Sequence, residues 1–382
     1  TQGTNSVNHV ENLADYTDGV TITGQGEPGS SISVTVLNET KTTTVAADGT
    51  WSVTYSQTEV PGGEYETDVL VTSTDAYGNS ASYTDKLVVD TVPHDIDIAT
   101  SLVGGNGTVN FAEEGASGVT VTGTSTPGAV MTVVVTADGQ TFTQTVTTGA
   151  NGGWSANWPA GTFPGGEYDA DVTVSTVDGA GNPSSTTGSF HVDTLGMVTI
   201  SANPIAGNDV VNNSEAAGGV VLTGTTQPGS IVTVVVEGVS RTATAGADGA
   251  WSVTYGAGSL PSGTYQTTAQ VTSTDAAGNT ATATRTFNVD TEADVAINIG
   301  QSGGDDLVNG AERSAGIVLT GTTEPGSSVE ITLGSVTRAA TVGADGKWTV
   351  NFSSAELPQG EGTLNVTAKA TDTAGNVTTA TS

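Results

Sequence analysis

The chain is expected to be all-β: a tandem array of four immunoglobulin-like Greek-key β-sandwich domains, the first and last incomplete. Three observations predict this. The tripeptide Val-Asp-Thr recurs at Val89-Asp90-Thr91, Val192-Asp193-Thr194 and Val289-Asp290-Thr291, and the aspartates are 103 and 97 residues apart. A period near 100 residues is the size of one such sandwich. Four further marks recur in fixed order between these tripeptides. Apolar residues alternate between the marks, as in Ile32, Val34 and Val36 against Ser31, Ser33 and Thr35, which is the pattern of a half-buried strand.

The first mark is Thr-Gly-x-x-x-Pro-Gly, starting at Thr23, Thr122, Thr223 and Thr320. The second is an Asp/Asn-Gly-x-Trp hairpin at Asp48, Asn151, Asp248 and Asp345, where turn chemistry accounts for the acid and asparagine serves equally. An apolar-Pro-x-Gly loop begins at Val60, Phe163, Leu260 and Leu357. The fourth mark, Asp-x-x-Gly-Asn, begins at Asp75, Asp178, Asp275 and Asp372. The strands between them number about seven per repeat, the count of an immunoglobulin-like sandwich.

Tyr65, Tyr168 and Tyr265 stand ten residues before that aspartate and match a tyrosine corner; Gly362 replaces them in the last repeat. The repeated tryptophans share strand phase with residues such as Val53 and are expected in the core. Boundaries fall at 1–91, 92–194, 195–291 and 292–382. Only six residues precede Val7 and six follow Asn376, whereas Asn279 leads to Asp290 in 11. The ends are thus out of phase with the repeat. A piece of a longer array and exchange of a strand with a neighbouring subunit both account for that.

Composition narrows the function. Eight Lys+Arg stand against 40 Asp+Glu, a formal net charge of −32. Such a chain repels nucleic acid and anionic lipid, whose binding rests on clustered basic residues. It suits hard cations with oxygen ligands, calcium above all. Cysteine is absent, which removes disulfides and thiolate metal sites. No stretch reads as a signal peptide or a membrane span, so no direct membrane insertion is expected. His9, His94 and His191 share no repeat position, and no nucleophile–base–acid set, P-loop or dinucleotide fingerprint is visible. The expectation is a protein that is not an enzyme.

A fifth mark, Val-Asn-x-x-Glu, starts at Val7, Val109, Val211 and Val308. Its loop and the Val-Asp-Thr strand end both lie at the bottom of a sandwich, and the Asp-x-x-Gly-Asn loop lies at the top. Stacking repeats head to tail therefore predicts three Ca²⁺ joints. Their ligands would be Asn8, Glu11 and Asp90 with Asp178; Asn110, Glu113 and Asp193 with Asp275; and Asn212, Glu215 and Asp290 with Asp372. Three carboxylates and an amide oxygen repel unless a cation sits among them, and Ca²⁺ takes six to eight oxygens. Asp209 and Asp306 are weaker candidates. A second reading stays open for the loop aspartates, which can cap their own backbone in an Asx turn. The Val-Asp-Thr aspartate can likewise be a solvated linker acid.

With all five marks laid out, the sequence resembles the bacterial Ig-like repeats of giant non-fimbrial adhesins and biofilm-associated surface proteins. The resemblance spans essentially the whole chain and rests on Thr-Gly-x-x-x-Pro-Gly, Ala-Asp-Gly-x-Trp, Asp-Ala-x-Gly-Asn and Val-Asp-Thr. It departs at Gly179 in the second Asp-x-x-Gly-Asn loop and at Asn151 in the second hairpin. It implies type 1 secretion to the bacterial cell surface and a stalk stiffened by calcium at domain junctions, serving adhesion or biofilm formation. The partners expected are the neighbouring repeats and no nucleic acid. Two other functions stand beside it. One is a repeat that binds a host or matrix glycan or protein, with the second favoured for Phe111, Trp154, Trp158 and Phe163. The other is a surface filament that assembles by strand donation.

Overall fold

The computed structural model describes residues 9–300 and 304–382. Two compact units divide the chain, Thr1–Leu195 and Gly196–Ser382. Each holds two β-sandwiches with separate hydrophobic cores.

In the first unit, the first sandwich has a five-stranded sheet ordered Val10–Asn12, Ser80–Asp90, Glu64–Thr74, Ser31–Val36 and Glu39–Thr44. Val20–Gln25 and Thr50–Tyr55 pair opposite it. The second sandwich repeats this order and adds Ile96–Ile98 to the smaller sheet. In both, a short strand runs parallel to the end of the last long strand: Val10–Asn12 beside Val88–Asp90, and Thr108–Val109 beside His191–Val192.

In the second unit the third repeat has the same two sheets. In the fourth, Val366–Thr371 and Val377–Thr381 pair over five residues, where the corresponding strands of the third repeat pair over 11.

The recurring marks have separable physical causes. Each Thr-Gly glycine lies directly across from the hairpin tryptophan: Gly24 from Trp51, Gly123 from Trp154, Gly224 from Trp251 and Gly321 from Trp348. The indole lies flat on the glycine, and a Cβ there would come within 2.3–2.5 Å of Trp Cζ2. The hairpin acid accepts a hydrogen bond from the backbone two residues on. Asp48 and Asp248 do this at 3.0 Å, Asn151 at 3.1 Å and Asp345 at 3.2 Å. Side-chain oxygen and not charge is what the turn needs, so asparagine substitutes freely.

The tyrosine corner is present where expected. The hydroxyls of Tyr65, Tyr168 and Tyr265 donate to the carbonyls of Pro61, Pro164 and Pro261 at 2.5, 2.7 and 2.8 Å. Trp158 occupies the position of Tyr55, Tyr255 and Phe352, each opposite the first residue of its partner strand, the one that carries Thr-Gly.

The aromatics of the second repeat pack inward. Trp154, Trp158 and Phe163 are buried, and Phe163 contacts the rings of Phe142, Trp158 and Phe190. Of the four aromatics that favoured this repeat for glycan binding, only Phe111 is exposed. The packing that fills a Val- and Ala-rich core accounts for the other three.

Candidate functional site

The Asp-x-x-Gly-Asn loop is built by its own aspartate. Asp178 Oδ1 accepts the N–H groups of Ala180 and Asn182 at 2.9 and 2.8 Å, and its Oδ2 accepts the Asn182 side-chain amide at 2.8 Å. Asp372 treats Asn376 alike, at 2.8 and 2.7 Å. Asp75 and Asp275 make the same pairs with Asn79 and Asn279. The glycine before each asparagine takes a positive φ, 94° at Gly181 and 93° at Gly375, which closes the turn without a Cβ penalty.

These bonds hold the asparagine amide rigidly, and the amide joins two repeats. Within the first unit, Asn182 Oδ1 accepts from Leu13 N at 2.6 Å and its amide donates to the Asp90 carbonyl at 2.9 Å. Asn12 Nδ2 donates to the Ala180 carbonyl at 3.2 Å. Within the second unit, Asn376 Oδ1 accepts from Asn213 N at 2.7 Å, and its amide donates to the Asp290 carbonyl at 2.7 Å. Asn212 Nδ2 donates to the Ala374 carbonyl at 3.0 Å. The top loop of one repeat thus docks on the bottom of the preceding one in both units. Asn182 and Asn376 are 1% and 6% exposed, so an amide satisfied at both ends is what such burial requires.

At the joint of the third and fourth repeats, carboxylate oxygens of Asp290, Glu324 and Asp372 lie within 4.8 Å of one another. Burial, then the negative field of Asp290, Asp372, Asp294 and Glu292, pushes the Glu324 carboxyl above its ordinary value. The donor set is all carboxylate oxygen, which fits a hard divalent cation. Asp290 and Glu324 are only partly buried, leaving room for water ligands.

The expected ligand sets are rearranged in several places. Asn8 lies outside the described residues. In the first repeat the register is four residues later than the Val-Asn-x-x-Glu mark implies. Glu11 pairs with Val89, where Val109 and Val211 pair with Val192 and Val289. Glu11 therefore takes a core valine's place and is 3% exposed. Asn12 is the counterpart of Asn110 and Asn212, and its Oδ1 accepts from Asp15 N at 2.9 Å.

In the other repeats the Asn–Glu pair forms a capping box on a six-residue helix. Glu113, Glu215 and Glu312 turn back to accept the N–H of Asn110, Asn212 and Asn309. Reciprocal capping explains the spacing, and Glu215 is not among the carboxylates gathered with Asp290 and Asp372. Asp193 is buried, and its Oδ1 accepts from Leu195 N at 3.1 Å. Asp209 is held by Arg285 at 2.8 Å and caps Ile205 N at 2.9 Å. Asp306 accepts from Gly300 N at 2.9 Å.

Glu324 and the joint asparagines escaped the sequence reading. Glu324 stands in the position before the proline of Thr-Gly-x-x-x-Pro-Gly, which elsewhere is Glu27, Thr126 and Gln227. No turn requirement marks it. The asparagines are invariant within the mark, and that was the available signal.

Within each unit, fold and joint together define a pair of immunoglobulin-like sandwiches coupled end to end through an asparagine-centred contact. A family model described as a bacterial Ig-like domain matches residues 116–194 and 198–291, and one described as a bacterial Ig domain matches 8–90 and 306–382. A Ca²⁺-stabilized adhesin that helps an Antarctic bacterium reach out and bind ice is 31% identical over 97% of this chain and 94% of that one, with a TM-score of 0.36. A 1.5-MDa bacterial ice-binding adhesin is 30% identical over 74% of this chain and 95% of the other, also at 0.36. A tetra-tandem repeat from the extending region of a large adhesion protein is 23% identical over 96% and 94%, at 0.37. No curated protein matches. Shared sequence over the whole span, and not overall superposition, carries the relationship. The chain belongs to the bacterial Ig-like domains, in the form of the tandem repeats of giant adhesins. Among the described residues no helix is long and apolar enough to cross a membrane.

Proposed function

We propose that this chain is a stretch of the stalk of a bacterial surface adhesin, in which calcium stiffens a joint between sandwiches so that the array holds its binding end away from the cell. The observation that carries this reading is the group of Asp290, Glu324 and Asp372 carboxylates gathered where the fourth repeat docks on the third. Without a cation they repel across the contact that Asn376 makes. With one, the same charges pull the two repeats together. Asp290 is contributed by the third repeat, and Glu324 with Asp372 by the fourth, so an ion there would bridge them. Kinship with an adhesin described as Ca²⁺-stabilized adds support.

A site of three carboxylates, two of them partly exposed, belongs in the weak extracellular range, a Kd of roughly 10⁻⁴–10⁻³ M. Calcium outside the cell fills such a site and cytosolic calcium does not, which ties stiffening to export. Small-angle scattering of the chain in calcium and then in excess EGTA checks this. The pair-distance distribution should shorten or broaden on chelation and recover on recalcification; an unchanged profile would refute the role. Calorimetric titration should return at least one site in that affinity range, and Glu324→Gln should weaken it about tenfold or more, about 1.4 kcal/mol.

A further inference from the structure

We infer that the two joints described above are of different kinds: the one between the first and second repeats is fixed without a cation, and the calcium response is confined, of these two, to the one between the third and fourth. This rests on the reading that calcium acts at a joint. Both joints have the same hydrogen-bond lock. Asn182 and Asn376 each accept one backbone N–H from the preceding repeat and donate to the carbonyl of its terminal aspartate. The charges around the lock differ.

The linkers align through a shared anchor. Ser125 Oγ donates to the Asp95 carbonyl, and Thr323 Oγ1 donates to the Asp294 carbonyl. In that frame Thr126 stands before Pro127 where Glu324 stands before Pro325, and Pro93 stands where Glu292 stands. Three carboxylates therefore surround the second contact of the pair, Asp290, Glu324 and Asp372, within 4.8 Å. Among the described residues no third carboxylate joins Asp90 and Asp178 in such a group. Calcium affinity rises with the number of charged ligands, so the first joint offers the weaker cation site and carries less repulsion to relieve. It is also stiffer by backbone chemistry. Pro93 lies in its linker, whereas the linker Thr291-Glu292-Ala293-Asp294 has no proline, and proline's fixed φ removes chain freedom.

The absence of cysteine from the chain lets paired spin labels be placed on the full-length protein at exposed strand positions. Thr42→Cys with Thr143→Cys spans the first joint, and Thr242→Cys with Thr337→Cys spans the other. Dipolar distance distributions are then measured in calcium and in EGTA. Chelation should broaden the 242–337 distribution and leave 42–143 unchanged. Equal broadening of both pairs would overturn this inference while leaving a calcium role standing, and no change in either would sink the calcium role itself. Two variants add independent arms. Glu324→Thr, the residue type of the second repeat, should make the 242–337 pair insensitive to chelation. Asn182→Ala should broaden the 42–143 pair even in calcium. A calcium response that persists in the first, or a 42–143 width unmoved in the second, counts against the proposal.

Discussion

Gly321→Ala should remove most of the stability of the fourth repeat. A Cβ at Gly321 would lie 2.0 Å from the Ala296 carbonyl oxygen and 2.3 Å from Trp348 Cζ2. The first of these contacts is backbone in the neighbouring strand Val295–Ile297, so no rotamer change relieves it. The indole is only 1% exposed and cannot swing away without leaving a cavity. Overpacking a core costs typically about 1–3 kcal/mol and occasionally more; with a backbone and a ring opposed at once, about 3 kcal/mol is expected here. In a repeat of this size that lowers its melting temperature by roughly 12–24 °C. Thermal unfolding followed by tryptophan fluorescence should show one transition moving down while the others hold. Gly310→Ala serves as the control, because a Cβ there meets nothing within 4 Å and alanine favours the helix Gly310–Ala315. Equal melting of the two variants would refute the argument. The pairing of Thr-Gly with Asp-Gly-x-Trp is then a packing requirement and not two separate turn signals.

Much of the sandwich was legible because its turns impose residue types that recur. Positive φ at Gly181 and Gly375, side-chain oxygen at Asp48 or Asn151, and a hydroxyl reaching back from Tyr65 each admit few residues. The head-to-tail docking of top loop on bottom loop was likewise readable from strand order. The ligand sets were less so, for two physical reasons. Asn and Glu three apart satisfy a local helix cap as well as a cation, and in Asn212–Glu215 the cap uses the glutamate. Strand register is fixed by which face is buried, and in the first repeat a buried glutamate occupies the valine position, so the motif match slid to Asn8 and Glu11. Glu324 was hidden differently: the residue before Pro-Gly in a tight turn can be almost anything, so its charge signals nothing until the fourth repeat is seated on the third.

The buried glutamate yields the second large prediction: Glu11→Val should stabilise the first repeat above pH 7 by about 3 kcal/mol. Burial, followed by the charges of Asp15 and Asp18, raises the Glu11 pKa from 4.5 to about 7. For an acid whose folded value is raised, the unfolded chain releases its proton first. Below about pH 4.5 both states are protonated and nothing is lost. As pH rises from there to about 7 the folded state still holds the proton, so stability falls, and above about 7 the loss is constant. At about 1.4 kcal/mol per pKa unit, the plateau penalty is of order 3 kcal/mol. Valine, the residue at positions 109 and 211, removes the charge and fills the same core site, so the gain from lost ionisation is not offset by a cavity. Glu11→Gln keeps the size and abolishes the titration. Denaturant unfolding of the three proteins from pH 4 to 8, in EGTA so that no cation intervenes, separates this from the other carboxylates, whose contributions cancel in the differences. The wild-type curve should fall away from both variants between about pH 4.5 and 7 and run parallel to them above it. Curves parallel throughout that window, or a valine variant less stable at pH 8, would mean that Glu11 is solvated and not packed beside Val89. In that case the register that makes Asn12 the joint residue would have to be drawn again.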